Sequence, residues 1–154
     1  MIEAQELEKG NKEILFPIYT DKNNFKQTVF EYSSRKSNCD TYLIKAQISD
    51  NRSKWMRLCI AHKVEELVNI YYSSNTIYYN HKPLVIGKKD LIKEYSYMNR
   101  ENYSLSLNSI FIEVVNDETV FEIGQCEGFY GGNYILIWKK DDDGKWFIFI
   151  DSNI

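Results

Sequence analysis

The sequence predicts an α+β domain, and three observations carry that reading. Met56, Ile60, Val64, Leu67 and Tyr71 recur at steps of four and three, which places them on one face of a helix. After Arg100 every segment has the alternation and turn chemistry of strands joined by hairpins. In Tyr134-Ile135-Leu136-Ile137-Trp138 and Trp146-Phe147-Ile148-Phe149-Ile150 both faces are apolar, so a sheet built from them must be covered on two sides.

The elements follow in order. Residues 1–24 are polar and read as an arm. Thr28, Phe30 and Tyr32, then Tyr42, Ile44, Ala46 and Ile48, alternate around the polar stretch Ser33 to Asp40, which suggests a β-hairpin. Residues 1–48 are accordingly taken as an N-terminal arm with a possible hairpin and residues 49–154 as the α+β domain. Ser49 or Asp50 can cap the helical run, which Ser73-Ser74-Asn75 ends; it is one helix, or two joined near His62-Lys63. Thr76 to Tyr79 is rich in β-formers and is closed by Pro83. A helix follows Gly87, from Lys88 to about Met98, with Leu91, Ile92 and Tyr95 on one side. Four strands complete the chain: Ser104 to Val115, Thr119 to Tyr130, Asn133 to Lys140 and Lys145 to Asp151. Asn116-Asp117, Gly131-Gly132 and Asp143-Gly144 turn between them. Helices cover one face of this meander; a second copy of the chain is expected on the other, giving a homodimer through the outer sheet face.

Composition narrows the function classes. In 154 residues, 19 Lys and Arg against 22 Asp and Glu give a formal net charge of −3, with no basic block longer than a pair, so a surface tracking nucleic-acid phosphates is excluded. Cys39, Cys59 and Cys126 are odd in number, widely spaced and without a C-x-x-C pair, which points to reduced thiols in the cytoplasm. The charged N-terminus lacks the apolar run of a leader peptide, and no stretch approaches the ~20 apolar residues of a membrane span. No cofactor is expected. Gly87-Lys88 lacks the upstream glycine of a phosphate loop, and no helix follows Gly124 to Gly132. No metal is expected either. His62 and Glu66 stand four apart on the polar side of a helix, and Asp141 to Gly144 lacks the alternate ligands of a calcium loop.

Val64-Glu65-Glu66-Leu67-Val68-Asn69-Ile70-Tyr71-Tyr72, then Asn75 to Tyr79, then Val85-Ile86-Gly87-Lys88-Lys89-Asp90-Leu91-Ile92, resemble successive elements of the nuclear transport factor 2-like superfamily, which includes ketosteroid isomerase and the SnoaL-like cyclases. Gly132 to Trp138, Asp143 to Trp146 and Asp151 are similar to that superfamily's last two strands. The resemblance covers about residues 50–154. It implies a cystatin-like, cone-shaped fold, in which a curved antiparallel sheet wraps around helices and leaves a pocket at its open end. Activity does not travel with the fold. The isomerase's proton-transferring carboxylate falls at Asn80, its protonated acid near Ile135 or Leu136 and its tyrosine near Met56. None of these can fill the role, so the resemblance excludes steroid isomerisation by that mechanism.

The candidate site residues cluster around the expected pocket. His81 follows the first strand of the domain, and histidine is the residue type most often used as a general base. Phe121, Ile123, Gln125 and Glu127 share one face of the second long strand, and Glu127 inside a pocket would suit acid or base work. Tyr78, Tyr79, Tyr95, Gln125 and Trp138 are the expected lining for a small apolar molecule. Asp151, ending the last strand, reads as a structural acceptor. Three functions remain open: a small-molecule-binding domain; an isomerase, cyclase or dehydratase using His81 and Glu127; and a protein-interaction module using the outer sheet face.

Overall fold

The computed structural model describes residues 40–154 in full and, of the first 39, the backbone of residues 3–7, 11–15, 17–20 and 25–28. The chain falls into two compact units, Met1–Asn38 and Cys39–Ile154. The first holds two antiparallel pairs: β1 (Glu3–Leu7) with β2 (Asn11–Leu15), and β3 (Pro17–Thr20) with β4 (Phe25–Thr28). The expected hairpin between residues 28–32 and 42–48 is not formed. β4 pairs backward with β3, and residues 42–48 are helical; Phe30 and Tyr32 lie outside the described residues. The alternation misled because Ile44 and Ile48 are also one helical turn apart. These two are buried, whereas Tyr42 and Ala46 are exposed.

The second unit opens with α1 (Thr41–Ile60). Asp40 caps it, its carboxylate accepting a hydrogen bond from the Leu43 N–H at 3.0 Å, and Ile44, Ile48, Trp55 and Cys59 form its buried stripe. α2 (Val64–Tyr71) is a separate helix. His62 between them has φ +58°, a left-handed break that resets the helical phase. Val64, Leu67 and Tyr71 are therefore buried as expected, while Met56 is half-buried and Ile60 is exposed. β5 (Tyr72–Tyr79) follows α2 without a loop, then β6 (Val85–Ile86), α3 (Lys88–Glu94) and a 3-10 turn, Tyr95–Asn99. Gly87 sits at φ +84°, a conformation that glycine adopts without strain. β7 (Leu105–Asn116), β8 (Thr119–Gly128), β9 (Gly132–Lys140) and β10 (Trp146–Asn153) form the meander.

The sheet has six strands in the order β6-β5-β10-β9-β8-β7. This corrects the cone-shaped antiparallel sheet implied by the resemblance. β10 runs parallel to β5, making the sheet mixed, and β6 and β7 are its two edges, which do not pair with each other. The sheet is neither closed nor strongly curled into a cone. Helices pack against one face, where Tyr72, Leu136, Trp138 and Ile148 join Leu67, Val68 and Trp55 in the core. Full burial of each large apolar side chain there contributes about 1.5–3 kcal/mol. On the opposite face Phe121, Ile135, Ile137 and Ile150 are buried as well. No helix among the described residues is long and apolar enough to cross a membrane.

Candidate functional site

Residues from α1, β5, the 3-10 turn and the inner face of β7 to β10 enclose a cavity of about 230 Å³. Its walls are aromatic: Trp55, Tyr72, Tyr78, Tyr95, Tyr97, Tyr103, Tyr130 and Tyr134 all contribute, with Leu105, Leu107, Leu136 and Ile148 between them. The strand period explains the selection. Tyr78, Asp151 and Leu136 are register partners across β5, β10 and β9, and residues at facing positions share a face.

Asp151 is the acidic group of the cavity wall. Its Oδ2 accepts hydrogen bonds from the hydroxyls of Tyr72 at 2.7 Å and Tyr95 at 2.6 Å, and the Trp55 indole N–H donates to the Tyr72 oxygen at 3.2 Å. Burial raises the Asp151 pKa, opposed by the two tyrosine hydrogen bonds. Burial and then the Asp151 charge push Tyr72 and Tyr95 well above their ordinary value, so both remain protonated donors. Tyr95 also meets Tyr78 edge to face, with ring centroids 5.0 Å apart, and the Asn153 amide donates to the Tyr78 hydroxyl at 3.3 Å.

A second buried acid lies behind the wall. Glu122 is fully buried. Its Oε1 accepts from Arg52 Nη1 at 2.8 Å and the Tyr134 hydroxyl at 2.9 Å, and its Oε2 from the Trp138 indole N–H at 3.0 Å. Gly124 makes this possible. It stands opposite Tyr134 in the ladder, and a Cβ there would overlap the tyrosine ring and hydroxyl.

Other polar groups of the wall differ in kind. The Tyr103 hydroxyl is buried without a hydrogen-bond partner among the described residues. The Cys126 thiol donates to the Gly132 carbonyl at 3.3 Å, and burial raises its pKa. His81, at φ +52°, is an exposed residue that also lines the cavity. Among the described residues no group of three or more His, Cys, Asp or Glu side chains is arranged to hold a metal ion.

Of the residues singled out in the sequence, the structure brings Tyr78, Tyr95 and His81 together around the cavity; Tyr79, Gln125, Glu127 and Trp138 are not in its wall. Tyr79 is register partner to Ser152, one step out of phase with the Tyr78–Asp151 pair, and its ring lies 5.7 Å from that of His81. Trp138 belongs to the core and is tied to Glu122. Gln125 and Glu127 are exposed, because the face of β8 turned inward is the one with Glu122, Gly124 and Cys126. Sequence reasoning missed Trp55, Tyr72, Tyr103 and Tyr134. Tyr72 had a signal: it shares a strand face with Thr76 and Tyr78 once β5 is extended back to the end of α2.

No family model matches the sequence, and no curated protein does. Solved structures match its shape. A nuclear transport factor 2-like protein of unknown function from Shewanella oneidensis superposes with TM-score 0.63 at 13% identity, over 71% of this chain and 98% of its own. A ketosteroid isomerase-like protein from Erwinia carotovora atroseptica gives 0.59 at 14%, over 75% and 98%. A nuclear transport factor 2-like protein of unknown function from Pseudomonas putida gives 0.57 at 10%, over 73% and 87%. Identities this low speak for the fold and not for an activity. The chain therefore contains a domain of the nuclear transport factor 2-like fold, shared with the ketosteroid isomerase-like proteins.

Proposed function

We propose that this domain binds a small, mostly apolar molecule in its aromatic cavity, with Tyr78 and Tyr95 among the contacts. The observation that carries the proposal is the cavity itself, about 230 Å³ with a wall built mainly of aromatic and aliphatic side chains. Aromatic walls with few polar groups are the usual make-up of such sites. Leu107→Trp tests the reading by filling the space from β7, where Leu107 is half-buried in the wall. Native mass spectrometry and thermal-shift screening of the parent protein should find small apolar ligands, and the variant should fold but lose them. Equal ligand binding by a folded variant refutes the proposal.

The rival, an isomerase, cyclase or dehydratase, requires an acid and a base at the ligand. His81 lies in the wall, but Glu127 is exposed and outside it, so binding is the reading better supported. The centre of the outer sheet face is buried within the chain, and we also propose a homodimer through the β7 margin of that face, where Phe111 is 48% exposed beside Phe121 and Ile110 is 61% exposed at the adjacent bulge. Light scattering at micromolar concentration should give twice the chain mass; a monomer refutes it.

A further inference from the structure

We propose that the ligand is cationic: a primary or secondary amine on a small aromatic or aliphatic body, its ammonium group bonded to Asp151. The proposal deepens the binding reading above and rests on it. Tyr72 and Tyr95 both donate to Oδ2 of Asp151, and among the described residues no hydrogen bond reaches Oδ1. Two short hydroxyl donors on one oxygen, at 2.7 and 2.6 Å, have the lengths of O–H···O⁻ bonds and mark Asp151 as a carboxylate acceptor. Its second oxygen is left for a further donor.

The charge balance of the wall points the same way. Among the described residues no Lys or Arg lines the cavity, and the one basic side chain in its wall is the exposed His81. The other buried acid, Glu122, has Arg52 at 2.8 Å, so Asp151 differs from it in lacking an ion-pair partner among the described residues. Burial of an uncompensated anion is unfavourable, and the raised pKa of Asp151 expresses that cost. An ammonium group supplies both the missing donor and the counter-charge. Tyr72 and Tyr95 reach the carboxylate through their hydroxyls, and Tyr72 and Tyr78 each meet the Tyr95 ring edge to face with centroids 5.9 and 5.0 Å apart, so the acid stands among aromatic rings of a kind that attract cations. An anionic ligand would meet repulsion from Asp151, and a neutral one would leave its charge uncompensated.

The test is calorimetry at pH 7 with four probes of one shape: 3-phenylpropylamine, 3-phenylpropan-1-ol, 4-phenylbutan-2-one and 3-phenylpropionate. The amine should bind the wild-type protein about tenfold tighter than any of the others. Asp151→Asn should abolish that preference, the amine then binding no more tightly than the alcohol. Alcohol, ketone or acid binding as tightly as the amine overturns the cationic assignment and leaves the binding reading standing. An amine preference that persists in a folded Asp151→Asn protein overturns the role of Asp151. Saturable binding by none of the four overturns both readings. Should Asp151→Asn not fold, the wild-type ranking decides the proposal by itself.

Discussion

Replacing Glu122 with glutamine removes one charge and one acceptor from a fully buried carboxylate that receives three donors, from Arg52, Tyr134 and Trp138. Glutamine offers a single acceptor oxygen, so in either orientation an amide N–H faces another donor. With the oxygen toward Arg52 and Tyr134, the fully buried Trp138 indole N–H is orphaned, costing about 1–3 kcal/mol. Breaking a buried ion pair costs about 3–5 kcal/mol in total, and the Arg52 side chain, 11% exposed, recovers part of its hydration. The low end applies, about 3 kcal/mol, which lowers Tm by about 6–12 °C for a domain of this size. Urea unfolding followed by tryptophan fluorescence should show a lower midpoint with an unchanged slope. A loss below about 1 kcal/mol would refute the reasoning. In a control, Glu122→Leu combined with Arg52→Met should recover most of the loss, since an apolar replacement of both partners leaves no charge to desolvate.

Gly124→Ala should displace the Tyr134 ring, break its hydrogen bond to Glu122 and destabilise by about 2 kcal/mol or more, whereas the same change at Gly131, where an added Cβ meets nothing, should be near neutral; urea midpoints compare the two. The raised pKa of Asp151 means that the native state holds its proton more tightly than the unfolded chain. Its stabilising contribution is therefore full below the ordinary carboxylate range and is lost as pH rises through the native value. Tyr72 on β5 and Tyr95 on the 3-10 turn face this group and stay protonated throughout, so stability relative to Asp151→Asn should fall as pH rises above the ordinary carboxylate range in urea titrations; a constant difference counts against the assignment. Burial pushes the Cys59 thiol up to about 11, so at pH 8 it should react with a disulfide reagent about 100-fold more slowly than an unfolded cysteine. A rate near that of the unfolded chain would show that the α1 stripe opens readily.

The α+β composition was legible because turn residues and helical spacing are local signals, whereas the cone-shaped antiparallel sheet was not what formed. Asn116-Asp117 and Asp143-Gly144 mark turns, and Val64, Leu67 and Tyr71 are buried on one helical face. What failed was phase. His62 resets the helix, so a stripe drawn from Met56 and Ile60 missed Ile48, Trp55 and Cys59. On β8 the alternation of Phe121, Ile123 and Gln125 gave a face but not its direction. Direction depends on tertiary partners: Glu122 turns inward because Arg52 and Trp138 meet it there. Only a small part of the cavity wall was visible for the same reason. Tyr78 and Tyr95 lie in segments whose phase was read well, and Tyr72 and Trp55 do not. The parallel pairing of β10 with β5 had no local signal, since it joins residues some 70 positions apart in sequence, as in Ile148 with Tyr72.

That pairing also orders assembly in time. β10 is the last strand of the chain, yet it lies third in the sheet, between β5 and β9. During synthesis the β6-β5 ribbon and the β9-β8-β7 meander exist before the piece that joins them, each presenting an unpaired edge on the side where β10 will lie. Insertion of residues 146–153 then fuses the two halves, closes those edges and brings Asp151 to Tyr72 and Tyr95 in one event. Nascent chains stalled before Trp146 should thus hold two sticky half-sheets and no finished cavity, making that interval the one in which a chaperone would matter most.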